Sequence, residues 1–121
     1  MECNIGDIVL INNFKYPDGS DGSLHSFVVI ETDNDELDLM PLEYLCFLIS
    51  SNKSKESMPY NIPLKKDSIN SLKQDSHVKC DFIYDGIRKD DILMVVGSVT
   101  PDQLDSFWDA YQAFLDDLED K

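Results

Sequence analysis

The chain has 121 residues, of which 42% are hydrophobic, and a formal charge of −14 at pH 7. That length fits one domain, residues 1–121, with a small core, and no apolar run is long enough to cross a bilayer. The charge argues against a nucleic-acid binder, because affinity for phosphates comes mostly from Lys and Arg.

Taken in order, Met1-Glu2-Cys3-Asn4 has neither the basic region nor the apolar stretch of a signal peptide. Asp7 to Ile11 is β-branched or apolar and predicts a strand. Phe14 to Ser23 holds Pro17, Asp18-Gly19 and Asp21-Gly22, so it predicts a loop. Phe27 to Ile30 is apolar at four consecutive positions, which predicts a strand buried on both faces. His25 lies where the loop meets that strand. It is either a titratable group aimed out of a loop by a rigid strand or only a polar residue at a strand start. Asp33-Asn34-Asp35 signals a turn into a short strand from Glu36 to Pro41. The acids there lack the Gly and closing Glu of a calcium loop.

Glu43 to Ile49 is a further apolar run of strand type. It ends at Ser50-Ser51-Asn52-Lys53, where two hydroxyls and an amine either bind an oxyanion or simply end the strand. Ser54 to Met58 is a loop, and the prolines of Pro59 to Leu64 restrict that segment to a sheet edge. Asp67 to Ser76 has Ile69 and Leu72 three apart, room for one helical turn. His77 to Tyr84 alternates, with Val78, Cys80, Phe82 and Tyr84 on one face and His77, Lys79 and Asp81 on the other, an outward face that meets either a ligand or, as is usual, water. Asp85-Gly86 is expected to turn the chain, Ile87 to Asp91 to connect, and Ile92 to Val99 to form a strand. Thr100, Pro101 and Gln103 then read as N-cap, N1 and the close of a capping box. Leu104, Phe107, Trp108, Tyr111, Leu115 and Leu118 follow a three-four spacing, which predicts a helix over 101–120 packed by its aromatic stripe.

Cys3, Cys46 and Cys80 are odd in number, widely spaced and without a Cys-x-x-Cys pair, so they imply neither a zinc site nor a disulfide framework. The expectation is a cytoplasmic, reduced protein with no metal and no cofactor. The bases are uneven: eight of the ten fall between Lys53 and Lys89, against five acids. The acids gather in Glu31 to Asp38 and Asp102 to Asp120. The sum is mainly β: five to seven short antiparallel strands within 6–99, forming a curved sheet or barrel, and one C-terminal helix.

These residues, in this order, resemble the MazF/PemK family of toxins from bacterial toxin–antitoxin systems. Gly6-Asp7-Ile8-Val9 resembles the family's first strand. Leu24-His25-Ser26-Phe27-Val28-Val29-Ile30 resembles its second. Leu48-Ile49-Ser50-Ser51 is similar to its third-strand ending, Asp75 to Ile83 to its "Asp-Ser-x-Val" strand, and Gly97-Ser98-Val99 to the run before its closing helix. The resemblance implies an SH3-like (MazF/PemK/CcdB-like) barrel, a homodimer, an antitoxin partner whose peptide crosses the RNA groove, and metal-independent endoribonuclease cleavage of single-stranded RNA.

The family's active-site arginine, which precedes a proline, is matched here by His25-Ser26, and its hydroxyl residue by Ser50 with Ser51 beside it. The resemblance therefore implies His25 and Ser50 as catalytic residues and Ser26, Ser51, Lys53 and Lys79 as substrate-binding ones. An imidazole can move protons near neutral pH but offers less steady charge than an arginine fork. Two other readings follow from that departure and from the charge. One is a binding or regulatory module that kept the barrel and lost catalysis. The other is an acidic nucleic-acid mimic that occupies another protein's basic groove.

Overall fold

The computed structural model describes residues 3–33, 43–55 and 57–120. In chain order it contains strands β1 (Asp7–Ile11), β2 (Phe14–Lys15), β3 (Asp21–Gly22), β4 (His25–Asp33), β5 (Glu43–Ser50), β6 (Asn61–Leu64), β7 (Ser76–Arg88) and β8 (Ile92–Ser98), then helix α1 (Pro101–Glu119). Six strands form one sheet in the order β6-β7-β5-β4-β1-β8, with every neighbouring pair antiparallel. The expected strand from Glu36 to Pro41 lies outside the described residues.

The four consecutive apolar residues of β4, Phe27 to Ile30, are all buried, because the sheet is covered on both faces. On one face Val9, Phe27, Val29, Cys46 and Leu48 pack with Cys3, Tyr44 and Tyr84, and Phe14 and Tyr16 close over them. Phe14 and Lys15 pair with Gly22 and Asp21, so the loop expected over Phe14 to Ser23 carries a miniature hairpin, with Lys15 ion-paired to Asp21. On the other face Ile8, Val28, Phe47, Ile49 and Val78 pack with Phe107 of α1. Each apolar side chain fully buried in this way contributes roughly 1.5–3 kcal/mol.

Helix α1 starts as its sequence dictates. The Gln103 N–H donates to Thr100 Oγ1 at 3.2 Å and the Thr100 N–H donates to Gln103 Oε1 at 2.9 Å, with Pro101 in the first turn. Trp108 and Tyr111 meet Phe47 with ring centroids 6.1 and 5.9 Å apart. The far end is held from β6's side, where the Tyr60 hydroxyl donates to Asp117 and its ring meets Phe114.

Two expectations about β7 are corrected. The strand does not stop at Asp85-Gly86; it continues through Gly86, at φ +69°, to Arg88, and a short 3-10 turn over Lys89–Asp91 makes the reversal. Nor do Val78, Cys80, Phe82 and Tyr84 share a face. Leu48 pairs with Lys79 and Cys46 with Tyr84, so a step of two along β5 matches a step of five along β7. This bulge shifts the phase of the alternation. Val78 and Cys80 stay in the core facing α1, Tyr84 joins the core on the hairpin face, and Phe82 turns outward.

Among the described residues strand pairing leaves the sheet open, not closed into the expected barrel. Segment 65–76 bridges its two edges, leaving β6 at one and reaching β8 at the other, where the Ser98 N–H donates to Ile69 O at 3.1 Å. It contains one helix-like turn, Ser71 N–H to Asp67 O at 3.1 Å. Gly97 makes the crossing possible: a Cβ there would stand 2.3 Å from Asn70 O. We call this segment the strap.

Candidate active site

β4 begins at His25 and β5 ends at Ser50, and each lies two residues beyond the Phe27–Leu48 pair. The two strand ends therefore meet at one end of the sheet. Ser50 in turn pairs with His77 of β7, and Leu48 with Lys79. Cross-strand partners share a face of the sheet, so Ser50, His77 and Lys79 belong to the face that carries Phe27.

His25 sits in this corner, half-buried. Its ring stands 6.2 Å from both Phe14 and Phe27, edge to face, and its Nδ1 is 3.4 Å from Ser26 O. Burial pulls its pKa below the usual imidazole value, and the Lys79 ammonium adds to that, opposed by the Ser26 carbonyl. The ring is thus held towards its neutral form, which can accept a proton.

A cavity of about 390 Å³ opens beside the same strand ends. Its apolar side is Leu10, Leu24, Ile49, Leu72 and Val96, and its polar side includes His25, Ser26, Ser51 and Ser76. The strap forms one wall through Ser71, Lys73 and Gln74, and Gln74 Nε2 donates to Ser51 Oγ at 3.0 Å. Of the six residues singled out from sequence, His25, Ser26 and Ser51 line this cavity. Ser50 does not; its Oγ accepts the Asn52 N–H at 3.1 Å. Lys53 is exposed in a short 3-10 turn. Lys79 lines a smaller cavity of about 250 Å³ with Phe82 and Phe114.

His77 was expected to face water and is instead buried, at 2% exposure. The alternation predicts the face correctly, but that face is covered where His77 stands, between its cross-strand partners Ser50 and Pro63. No signal in the sequence marks that covering. The same holds for the strap, whose docking on β8 is a contact between distant segments.

The cysteines are buried, and burial raises all three thiols, Cys80 to about 12, which keeps them protonated. Among the described residues no group of three or more His, Cys, Asp or Glu could hold a metal ion. None of the described helices is long and apolar enough to cross a membrane.

A profile of the family described as PemK-like, MazF-like toxin of type II toxin-antitoxin system matches residues 4–113. The chain belongs to this family. Two solved structures share the fold of this PemK/MazF-like chain. One is the Mycobacterium tuberculosis toxin MazF-mt6, 17% identical, with a TM-score of 0.64 over 91% of this chain and 96% of that one. The other is an endoribonuclease in complex with its cognate antitoxin from Mycobacterial species, 15% identical, with a TM-score of 0.64 over 91% of each chain. No curated protein sequence matches the chain significantly.

Proposed function

We propose that this PemK/MazF-like protein is the toxin of a toxin–antitoxin pair and cleaves single-stranded RNA without a metal ion, in the cytoplasm and as a homodimer. The observation that carries the reading is the position of His25: a half-buried, preferentially neutral imidazole at the junction of two strand ends, on the lip of an open cavity edged with hydroxyls. Membership of a toxin family and the fold shared with an endoribonuclease bound to its antitoxin support it.

In this reading the His25 imidazole takes the proton from an RNA 2′-hydroxyl. The 2′-oxygen attacks the adjacent phosphorus, the bond to the 5′-oxygen breaks, and the leaving oxygen takes a proton from the imidazolium or from water. The products are a 2′,3′-cyclic phosphate and a 5′-hydroxyl. Ser26 and Ser51, which line the cavity, donate hydrogen bonds to the non-bridging oxygens, while Lys79 and Lys53 supply positive charge as the phosphorane-like state builds; Ser50, on the other face of β5 and bonded to the Asn52 N–H, has no part in this step. The exposed Leu93 and Met94 on β8, an edge strand, fit the homodimer, since such an edge pairs readily with another chain. The net charge of −14 favours a second reading, a catalytically silent binding module of the same fold.

The deciding experiment incubates the purified protein with mixed single-stranded RNA in the presence of a chelator. Cleavage is expected, and His25→Ala should slow it about 10²- to 10⁴-fold, the usual worth of one acid–base group. Cleavage absent from the wild type, or unchanged in His25→Ala, removes the nuclease reading and leaves the binding module.

A further inference from the structure

The bulge in β7 turns a large aromatic ring into solvent. Phe82 is 39% exposed, yet it is not loose. Its ring meets Tyr84 edge to face at 4.8 Å, and Tyr84 is backed by Phe27 at 5.2 Å and Phe14 at 5.9 Å. Phe14 in turn meets His25. A continuous line of rings therefore runs from the candidate active site to an exposed phenyl group whose position is fixed from behind.

Two cavities share Phe82 in their walls. One, of about 380 Å³, includes Asn13, Lys15, Tyr16 and Asp85; the other, of about 250 Å³, includes Lys79, Asp81 and Phe114. Pro17 and Tyr84 also belong to both. Phe82 thus stands as a partition between two recesses, each with an aromatic wall and a lysine. We propose that Phe82 is a wedge that separates two neighbouring bases of a single-stranded nucleic acid, one seated in each recess. This rests on the RNA-cleaving reading and extends it by naming where the strand lies beyond the scissile phosphate.

The chemistry of the recesses suits bases better than phosphates. Aromatic faces stack on any base, and that contribution does not depend on charge. Asp81 and Asp85 accept hydrogen bonds and repel phosphate, so they fit the N–H groups of base edges. Lys79 lines the smaller recess and, as the cross-strand partner of Leu48, lies on the face that carries Phe27; it is the cation available to the phosphate between the two bases. Lys15 is engaged by Asp21. A partner's apolar side chain is the competing occupant, but it would leave Lys79, Asp81 and Asp85 facing an apolar group with no hydrogen-bonding partner.

The test uses the full chain and an uncleavable 2′-O-methyl single-stranded oligonucleotide, with binding read by fluorescence anisotropy. Phe82→Ala is expected to weaken binding about tenfold or more, the scale of losing one or two stacked bases, while Phe82→Trp retains it. Because Phe82 lies outside both cores, the thermal transition of each variant should match the wild type, which checks folding. Equal binding by wild type and Phe82→Ala overturns the wedge, and it is the result expected if a protein side chain fills the recesses. If RNA is then still cleaved, the nuclease reading survives the wedge. Binding that depends on Phe82 without any cleavage keeps the wedge and removes the catalysis. No binding by the wild type removes both.

Discussion

Truncating Asn70 tests whether the strap holds the molecule closed. This side chain is 1% exposed and makes three hydrogen bonds. Its Oδ1 accepts from the Asp67 and Leu72 N–H groups, both at 3.0 Å, and its Nδ2 donates to Lys65 O at 2.8 Å. Asn70→Ala strands two backbone donors and one acceptor. A buried group left without its partner costs about 1–3 kcal/mol. The Asp67 carboxylate still accepts the Ile69 and Asn70 N–H groups, which limits the damage to the low end of that range for each bond. The sum is about 3 kcal/mol, a large share of the roughly 5–15 kcal/mol that holds a typical domain together. With about 2.1 cal/mol/K of unfolding entropy per residue, a chain of this length should lose on the order of 12 °C in Tm. Urea unfolding followed by Trp108 fluorescence and circular dichroism gives the measurement. The midpoint should fall with the slope unchanged. A loss below about 1 kcal/mol would show that the strap contributes little and that β8 is held by β1 alone.

Two further outcomes follow from single groups. His25 has a folded pKa below its unfolded one because it is buried. On acidification the unfolded chain takes up that proton first, near the ordinary value of about 6.5. The contribution of neutral His25 to stability is therefore complete above that pH and is lost as pH falls towards the lower folded value. His25→Gln should remove this slope, so the stability difference between the two proteins, measured by urea titration from pH 8 to 5, should change in that window; a difference constant with pH contradicts the buried-imidazole assignment. Thr100→Ala breaks one half of the capping box and should cost about 1 kcal/mol by the same unfolding assay.

What could be read in the sequence was local. The capping box at Thr100 and Gln103 involves four neighbouring residues, and its chemistry is sufficient to start a helix anywhere. Phe27 to Ile30 announces burial on both faces because no half-exposed strand tolerates four consecutive apolar residues. The positions of His25 and Ser50 at strand ends were equally legible, since each lies where an apolar run meets turn formers. The errors arose where one strand's geometry depends on another. The phase shift of β7 is invisible in Val78 to Tyr84, because a bulge is a mismatch between two ladders. Asp85-Gly86 predicts a turn because glycine at positive φ serves both a reversal and a bend within a strand, and only the partner strand distinguishes them. His77 alternates as a solvent-facing residue would, and nothing within residues 77–84 shows that this part of the face is covered. Ser50 and Ser51 are adjacent in sequence, and alternation sends them to different faces, so only one of them borders the cavity.

The charge distribution takes on meaning once the elements are in place. The bases between Lys53 and Lys89 fall on the two 3-10 turns, the strap and β7. The strap borders the cavity beside His25, and β7 borders the recess that holds Lys79. The acids beyond Asp102 fall on α1. At physiological salt a charge is felt over about 8 Å, so a polyanion meets the local field of each region rather than the total of −14. It is repelled along the outer surface of the helix and tolerated near β7. Lysines are still few in that region, and a strand held there must gain most of its affinity from stacking and from base edges. That requirement makes the rigid support behind Phe82 and His25 consequential: rings fixed in advance lose little entropy when a base arrives. With an imidazole rather than a fixed cation at that corner, the proposed hold on a nucleic acid substitutes preorganised aromatic surface for charge.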